Sequence, residues 1–396
     1  MTKTILTNVR KQVNSLRSKW RILRQLTEIL FARETAFNSN PRISQAVDSA
    51  TGDWPVPVLS FSGTAFECGR NYANWVLSER PDHVHRLVHS AWATVNESDF
   101  KTLFASRGKN AMDFSAGIGS ALTNTGLELP RSTTTQNTGS HEHDECTSFA
   151  VAPKHTLGAK TISGQTKDTS ATSLRDYILL ILRPTDAPHI AVLTYPGELL
   201  GYGLWGTGIS LFRNSIHSSA GSTEGLDFHQ LGLLCLSQPS IAEIRPLIIN
   251  LKIKGKANLL ITDKKGESIS VEFNAAGTNI LEADKGIITH ANHCEGQLTG
   301  TLSHYPDKKE EQNSEFRARH LRDQLVAASP TLTPQRIYSI LSDHTRYPQG
   351  ICRHQISNSP FNRTTATIIA ENSTMSLHVS LGNPCQTWPK VFELNT

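Results

Sequence analysis

The strongest constraint on the fold is a change of character at residue 146, where a polar segment gives way to short apolar runs. Residues 111–145 are rich in Ser, Thr, Asn and Gly, which predicts an exposed, flexible loop. Beyond it, Gly, Pro and Asp separate five β-type runs: Thr147–Val151, Lys160–Gln165, Tyr177–Leu182, His189–Tyr195 and Gly208–Asn214. Such spacing predicts a meander or a sandwich of strands that begins at Cys146.

The second half of the chain predicts hairpins and helices in alternation. The hairpins pair Leu259–Thr262 with Ile269–Phe273, and Thr364–Ala370 with Ser376–Leu381. The helices cover Ser314–Ala328, with Ser314 as N-cap, and Thr333–Ser342. Strands followed by helices and then by strands again indicate a layered α+β architecture.

Composition excludes several classes of protein. The 396 residues are 38% hydrophobic and 19% charged, which is typical of a globular chain. A net charge of +4 gives no support to nucleic-acid binding, and no apolar run of about 18 residues predicts a membrane span. Six scattered cysteines without a C-x-x-C pair argue against a structural zinc site of the usual spacing and favour free thiols in a reducing compartment, so we expect a cytoplasmic protein without metal. No glycine-rich nucleotide-binding motif occurs either, and we expect no cofactor.

Residues 1–52 form a basic extension. Its apolar residues recur at helical spacing between lysines and arginines: Leu16, Trp20, Leu23, Leu26 and Leu30. Two interpretations stay open. The segment is either a helix packed on the domain, or a targeting or membrane-surface segment.

Cys146 stands where a polar loop meets a strand, so cutting one peptide bond would place it at a new N-terminus. Its α-amino group, with an ordinary pKa of about 7.7–8.0, could then act as the general base for its own thiol. Two other interpretations stay open at this point. Cys146 could be a small buried residue, or it could join His141 and His143 in a metal site.

Several segments together resemble the acyl-coenzyme A:6-aminopenicillanic-acid acyltransferases (isopenicillin N acyltransferases) and their peptidase C45-like relatives among the N-terminal-nucleophile (Ntn) hydrolases. The resemblance runs from about residue 56 to the C-terminus. Its segments occur in the family's order: Gly63–Gly69, Cys146–Ser148, Gly164–Asp168, Gly208–Asn214, Val271–Phe273, Thr289–Cys294, Ser314–Arg317 and Tyr347–Arg353.

The resemblance implies a four-layer αββα sandwich of antiparallel sheets, formed by residues 53–396. It also implies self-cleavage between Glu145 and Cys146. Residues 53–145 would be the α-chain or propeptide portion and residues 146–396 the catalytic β-chain, and the processed chains are expected to assemble as an oligomer. Substrates would be a small amide, an N-acyl amine or an acyl-coenzyme A thioester, whose acyl group passes to water or to an amine.

Individual roles follow from the same resemblance. Cys146 would be the nucleophile, Asp168 would hold its α-amino group, and Asn292 would donate to the oxyanion. Asn214 would orient the amine or the substrate, and Arg353 would neutralise a carboxylate near the site. Because Glu145 stands where the family carries Gly, the alternative is an uncleaved, non-catalytic member of the fold that binds a small molecule.

Overall fold

The computed structural model describes residues 57–91, 98–125, 145–305, 307–355 and 363–394. The basic extension 1–52 and the predicted histidine ligands His141 and His143 lie outside the described residues. Within those residues, no helix combines the length and the apolar character needed to cross a bilayer.

The described part of the chain holds fourteen strands and eight α-helices. The strands are β1 Val58–Gly63, β2 Glu145–Val151, β3 Ile162–Thr169, β4 Ile178–Pro184, β5 Ile190–Thr194, β6 Tyr202–Trp205, β7 Ser210–Asn214, β8 Ala257–Thr262, β9 Ser268–Asn274, β10 Gly277–Glu282, β11 Ile287–His290, β12 Arg363–Glu371, β13 Ser376–Leu381 and β14 Lys390–Glu393. The helices are α1 Ala65–Glu79, α2 Val84–Ser90, α3 Ser98–Arg107, α4 Lys109–Thr123, α5 Phe228–Leu236, α6 Ile241–Asn250, α7 Lys308–Ala328 and α8 Pro334–Leu341.

The strands form two sheets. The larger has the order β1-β4-β5-β6-β7-β8-β9-β10, and the smaller has the order β11-β2-β3-β12-β13-β14. All neighbours are antiparallel except β1 and β4, which run parallel. The two predicted hairpins are confirmed as β8–β9 and β12–β13.

Three separate apolar cores lie between four layers. The first joins the larger sheet to helices α1 to α6, the second fills the space between the two sheets, and the third joins the smaller sheet to α7 and α8. Strand β4 shows how one run serves two cores: Leu180 packs toward the helices, whereas Leu179 packs toward the other sheet. The predicted αββα sandwich is therefore confirmed.

Two local predictions are wrong. Residues 111–145 do not form one loop, because the helix α4 runs to Thr123; residues 126–144 lie outside the described residues. The small residues of α4 look loop-like in sequence, yet Phe114 and Ile118 recur at helical spacing and are buried. Ser314 is not an N-cap, since α7 begins six residues earlier, where the side chain of Asp307 accepts the amide N–H of Lys309.

The small residues of α4 allow its backbone to touch that of α1. A β-carbon added at Gly117 would lie 2.0 Å from the carbonyl oxygen of Phe66, and one added at Gly69 would lie 2.1 Å from that of Phe114. Contacts this short are not tolerated, so the packing of the two helices requires glycine at both positions.

We expect Gly117→Ala to destabilise the fold, although alanine favours an isolated helix over glycine by about 1 kcal/mol. Overpacking of this kind costs about 1–3 kcal/mol, which should appear as a lower free energy of unfolding in urea. Gly300→Ala is the matched control, because a β-carbon there meets nothing within 4 Å. Equal free energies of unfolding for Gly117→Ala and Gly300→Ala would contradict the close contact between α1 and α4.

Candidate active site

Cys146 is the second residue of β2, a strand buried along its whole length between β11 and β3. Its side chain is 2% exposed, and the residue pairs with Lys167 of β3. Glu145 precedes it in the same strand and pairs with Asp168. The peptide bond predicted to be cut therefore lies inside the sandwich, at the start of a central strand.

Arg317 connects this strand start to helix α7. One guanidinium nitrogen donates to the carbonyl oxygen of Cys146 (2.8 Å) and to Oγ1 of Thr147 (2.7 Å). The other donates to Oε2 of Glu145 (2.7 Å) and to Oδ1 of Asn292 (2.9 Å). Arg317 is fully buried, and burying a guanidinium is costly unless such acceptors surround it. The first three residues of β2 are thus held by one side chain.

A second guanidinium, that of Arg353, contacts the carboxylate of Glu145. Arg353 contacts Oε2 of Glu145, and it also lies 3.4 Å from Oε2 of Glu310. Burial alone would raise the pKa of Glu145, but Arg317 and Arg353 outweigh it and hold this pKa below its ordinary value. Glu145 is therefore ionised and forms a buried ion cluster with both arginines.

The pKa of Glu310 shifts in the opposite direction to that of Glu145. Burial, followed by the negative charge of Glu145, raises the pKa of the Glu310 carboxyl group above its ordinary value. The cluster therefore favours one ionised carboxylate, Glu145, between its two cations.

Asn292 holds the backbone nitrogen of Cys146. Its Oδ1 accepts the amide N–H of Cys146 at 3.1 Å, while its Nδ2 donates to the carbonyl oxygen of Ser215 at 2.8 Å. Because Oδ1 also accepts from Arg317, the hydrogen bonds define the orientation of the amide group. The backbone of Asn292 is held in turn by Oγ of Ser314, which accepts its N–H at 2.8 Å.

A buried ion pair fixes the turn that carries Asn292. His290, at the end of β11, donates from Nε2 to Oε1 of Glu272 (2.7 Å) and from Nδ1 to the carbonyl oxygen of Ala291 (2.8 Å). Glu272 also accepts the amide N–H groups of Glu295 (2.7 Å) and Gly296 (2.9 Å). Burial opposes both charges. Their mutual hydrogen bond nevertheless raises the pKa of His290 and lowers that of Glu272 to about 2.

Asp168 faces the same cluster from β3 and has an unusual carboxyl group. Oγ1 of Thr364 donates to its Oδ1 at 2.7 Å, and its Oδ2 lies 3.9 Å from the guanidinium of Arg317. Among the residues that the structure describes, Oδ2 has no hydrogen-bond partner. Full burial raises the pKa of Asp168 to about 6, in spite of the nearby arginines.

The structure brings most of the predicted site residues together. Cys146, Glu145, Asn292 and Arg353 are joined by the contacts above, and Asp168 borders them. Asn214 is connected to this group through the backbone of His290. Its Nδ2 donates to the carbonyl oxygen of His290 at 3.1 Å, so it supports the turn that carries Asn292.

Sequence reasoning gave no role in the site to three contributors, Arg317, Ser314 and Glu310, although Ser314–Arg317 is one of the segments that carry the resemblance. The available signal was helical spacing. Arg317 and Ser314 share the buried face of α7 with Leu321, and an arginine on an apolar helix face implies a buried anionic or carbonyl partner. The partner itself could not be read from the sequence, because it lies more than 170 residues away.

Comparison with known proteins gives only weak matches. No protein-family model and no curated protein matches this sequence. Two solved structures of conjugated bile acid hydrolase from Clostridium perfringens, both of altered sequence, align at 12% identity with TM-scores of 0.37 and 0.38. Each alignment covers 65% of this chain and 86% of that one. Penicillin V acylase from Agrobacterium tumefaciens aligns at 11% identity with a TM-score of 0.34, covering 63% of this chain and 77% of its own. With TM-scores below 0.5, these matches carry no inference about the activity of this chain.

The raised pKa of Asp168 predicts a specific pH dependence of stability. Between about pH 4 and pH 6 the folded chain keeps a proton that the unfolded chain has released, so folding becomes less favourable as the pH rises. Above pH 6, where Asp168 is ionised in the folded chain as well, a pKa shift of this size lowers the free energy of unfolding by about 3 kcal/mol. We expect Asp168→Asn to remove this cost. The free energy of unfolding of the variant, relative to that of its parent, should therefore increase from pH 4 to pH 7.

This comparison requires urea unfolding of a single covalent species, so both proteins should carry Cys146→Ala. Asp323→Asn, on the exposed face of α7, is the control and should leave the pH profile unchanged. A stability difference between the Asp168 variant and its parent that stays constant across this pH range would contradict a raised pKa.

Proposed function

We propose that the chain is a self-processing cysteine amidohydrolase or acyltransferase of the Ntn type, with Cys146 as nucleophile. One observation carries the proposal: the Glu145–Cys146 peptide is held on both sides by polar groups suited to cutting it. Asn292 accepts its N–H, two arginines hold the side chain before it, and the protonatable Asp168 lies across from it. A structural cysteine at a strand start has no need of such surroundings.

Processing would begin when the Cys146 thiol attacks the carbonyl carbon of Glu145. The carbon–sulfur bond forms, the carbon–nitrogen bond breaks, and the nitrogen of Cys146 becomes an amine by gaining the proton that the thiol loses. Water then hydrolyses the thioester, which releases the new carboxyl terminus at Glu145 and restores the thiol. With a pKa of about 6, Asp168 can exchange a proton in this sequence near neutral pH.

In the mature enzyme the same groups would surround the new α-amino group. Oδ1 of Asn292 already lies 3.1 Å from the nitrogen of Cys146, so it can accept a hydrogen bond from the free amine. Asp168 would supply the second, charged acceptor through its Oδ2. The oxyanion role of Asn292 stays a prediction, because in the uncut chain its Nδ2 donates to the carbonyl oxygen of Ser215.

Glu145 also indicates which acyl groups the site accepts. During processing, the acyl group of Glu145 is attached to the sulfur of Cys146, as a substrate acyl group is during turnover. The groups that hold the Glu145 side chain, Arg317 and Arg353, therefore line the space for a substrate acyl chain. We infer a preference for acyl groups that end in a carboxylate about as far from the carbonyl carbon as in a glutamyl residue.

The proposal includes water or an amine as the acyl acceptor, and an acyl-coenzyme A thioester as a donor beside amides. The alternative is an uncleaved chain of the same fold that binds a small molecule. One observation favours it: Glu145 and Cys146 lie in regular antiparallel register with β3, and neither has a positive φ. The backbone at the proposed cut thus shows no strain in the left-handed region.

Processing is tested directly on the purified full chain. We expect a denaturing gel to show two fragments, with N-terminal sequencing of the larger one starting at Cys146, and we expect Cys146→Ala to remain one chain. Cys235→Ala, a buried thiol in α5, is the matched control and should process normally. An intact wild-type chain that hydrolyses amides would contradict the mechanism, and an intact chain without turnover would support the binding alternative.

The acyl preference is tested with glutaryl and pentanoyl amides of one fluorogenic amine. The processed wild-type enzyme should favour the glutaryl amide in kcat/KM, because only this acyl group can pair with the arginines. Arg353→Gln should lower that preference by about 10- to 100-fold, which corresponds to the loss of one charged hydrogen bond. Arg346→Gln is the control, because this arginine lies on the same loop with its guanidinium over the ring of Phe316, and it should leave the preference unchanged. Equal turnover of both amides by the wild type would rule the preference out.

A further inference from the structure

Four side chains of ligand type converge beside the segment that carries Arg353. His344, Cys352 and His354 lie in the loop after α8, and Cys385 lies in the turn after β13. Cys352 and His354 are buried, Cys385 is half-buried and His344 is at the surface. None of the four takes part in the contacts around Cys146.

Their ligand atoms are mutual neighbours. Nε2 of His354 lies 3.4 Å from Sγ of Cys352, 3.4 Å from Sγ of Cys385 and 3.1 Å from Nε2 of His344. The two sulfur atoms are 3.6 Å apart. One ligand atom from each of the four residues lies within 4.8 Å of every other.

These four separations match four of the six edges of a tetrahedron around one zinc ion, and the other two, from His344 to each sulfur, are within 4.8 Å. With Zn–S bonds of about 2.3 Å and Zn–N bonds of about 2.05 Å, the ideal edges are about 3.8 Å for S–S, about 3.6 Å for S–N and about 3.3 Å for N–N. Each of the four separations above falls within about 0.3 Å of its ideal edge, in the same order of length.

Hydrogen bonding alone does not explain the arrangement. Nε2 of His354 has three close neighbours, yet a neutral ring nitrogen offers either one proton or one lone pair. If a cation lay at the centre of the cluster, the lone pair of Nε2 would bind the cation. The three neighbouring atoms would then be further ligands of the same ion and would not be hydrogen-bond partners of Nε2. In addition, Nδ2 of Asn383 points at Sγ of Cys352 (3.6 Å) while it donates to the carbonyl oxygen of Arg353 (2.6 Å). Such an N–H group beside a sulfur atom supports a thiolate ligand.

We propose that His344, Cys352, His354 and Cys385 bind one Zn²⁺ in a closed Cys₂His₂ site. Two thiolates and two imidazoles favour zinc over the hard cations Mg²⁺ and Ca²⁺, which prefer oxygen ligands. Four protein ligands leave no open position, so the site is structural. Binding releases the two thiol protons and joins the loop after α8 to the end of β13.

The site has a consequence for Arg353, which lies between two of the ligands in sequence. Fixing Cys352 and His354 fixes the backbone from which Arg353 extends toward Glu145. Zinc would therefore position this guanidinium without touching the reacting atoms. The zinc site itself does not depend on the proposed function, because its primary test is metal content.

The first test is the metal content of the full chain, produced in zinc-supplemented medium and purified without a metal-affinity step. We expect about one zinc per chain by elemental mass spectrometry, as for other four-ligand sites. Replacing Zn²⁺ by Co²⁺ should give the visible spectrum of a tetrahedral site together with thiolate-to-cobalt charge-transfer absorption. A chain that contains no zinc and binds no Co²⁺ after reduction would overturn the proposal.

Variants assign the site. Cys352→Ser and Cys385→Ser should each lose most of the zinc and the charge-transfer absorption, whereas Cys68→Ala should keep both. The double variant His89→Gln/His229→Gln should also keep the zinc; it removes a second histidine pair, whose rings approach to 3.1 Å beside Asp227. Loss of zinc in this double variant, with retention in the cysteine variants, would contradict the assignment.

Thiol labelling of the wild-type chain keeps the test decisive if the cysteine variants fail to fold. Zinc should protect Cys352 and Cys385 from alkylation, and a chelator should expose both. A Cys352–Cys385 disulfide is the competing outcome, and it requires the sulfur atoms to close to about 2.05 Å. Finding that bond in freshly purified protein, with no zinc, would refute the site.

Discussion

The arrangement around Cys146 depends on one buried guanidinium. Arg317 donates to β2 through the carbonyl oxygen of Cys146 and the carboxylate of Glu145, and it donates to the turn after β11 through Asn292. A buried cation is stable only when such partners are in place, so α7, the central strand and the turn have to assemble together. That requirement explains why supporting groups farther out, the ion pair of His290 with Glu272 and the hydroxyl of Ser314, are also buried and paired.

Local patterns made much of the fold predictable. The hairpins β8–β9 and β12–β13 follow from apolar runs separated by turn residues, and the layered α+β class follows from their order. Helix α4 was missed because its glycines and serines have the composition of a loop, whereas in the fold these small residues let its backbone touch that of α1. A contact between Gly117 and Phe66 depends on tertiary packing that no local window contains.

The candidate site was predictable only in part, for the same reason. The roles of Cys146, Asp168 and Asn292 come from a resemblance, and they stay predictions; in this structure Asn292 accepts the N–H of Cys146 and donates to the carbonyl oxygen of Ser215. The ion cluster around Glu145 joins residues 145, 310, 317 and 353, and the proposed zinc ligands run from residue 344 to residue 385. Sets spread this widely leave no fixed spacing to recognise, so their chemistry emerges only once the sheets and helices are assembled.

The charges of the cluster would connect the proposed processing to the proposed activity. In the uncut chain, burial is the main cause of the raised pKa of Asp168, and the negative charge of Glu145 adds to it. If residue 145 leaves the site after cleavage, Arg317 and Arg353 lose a counter-charge while Asp168 loses a neighbouring anion. Both changes favour the ionised form of Asp168, so cleavage would convert a protonatable acid into the carboxylate that an α-ammonium group needs. The vacated arginines would still require an anion, and the proposed substrate carboxylate would take the place that the carboxylate of Glu145 occupies in this structure.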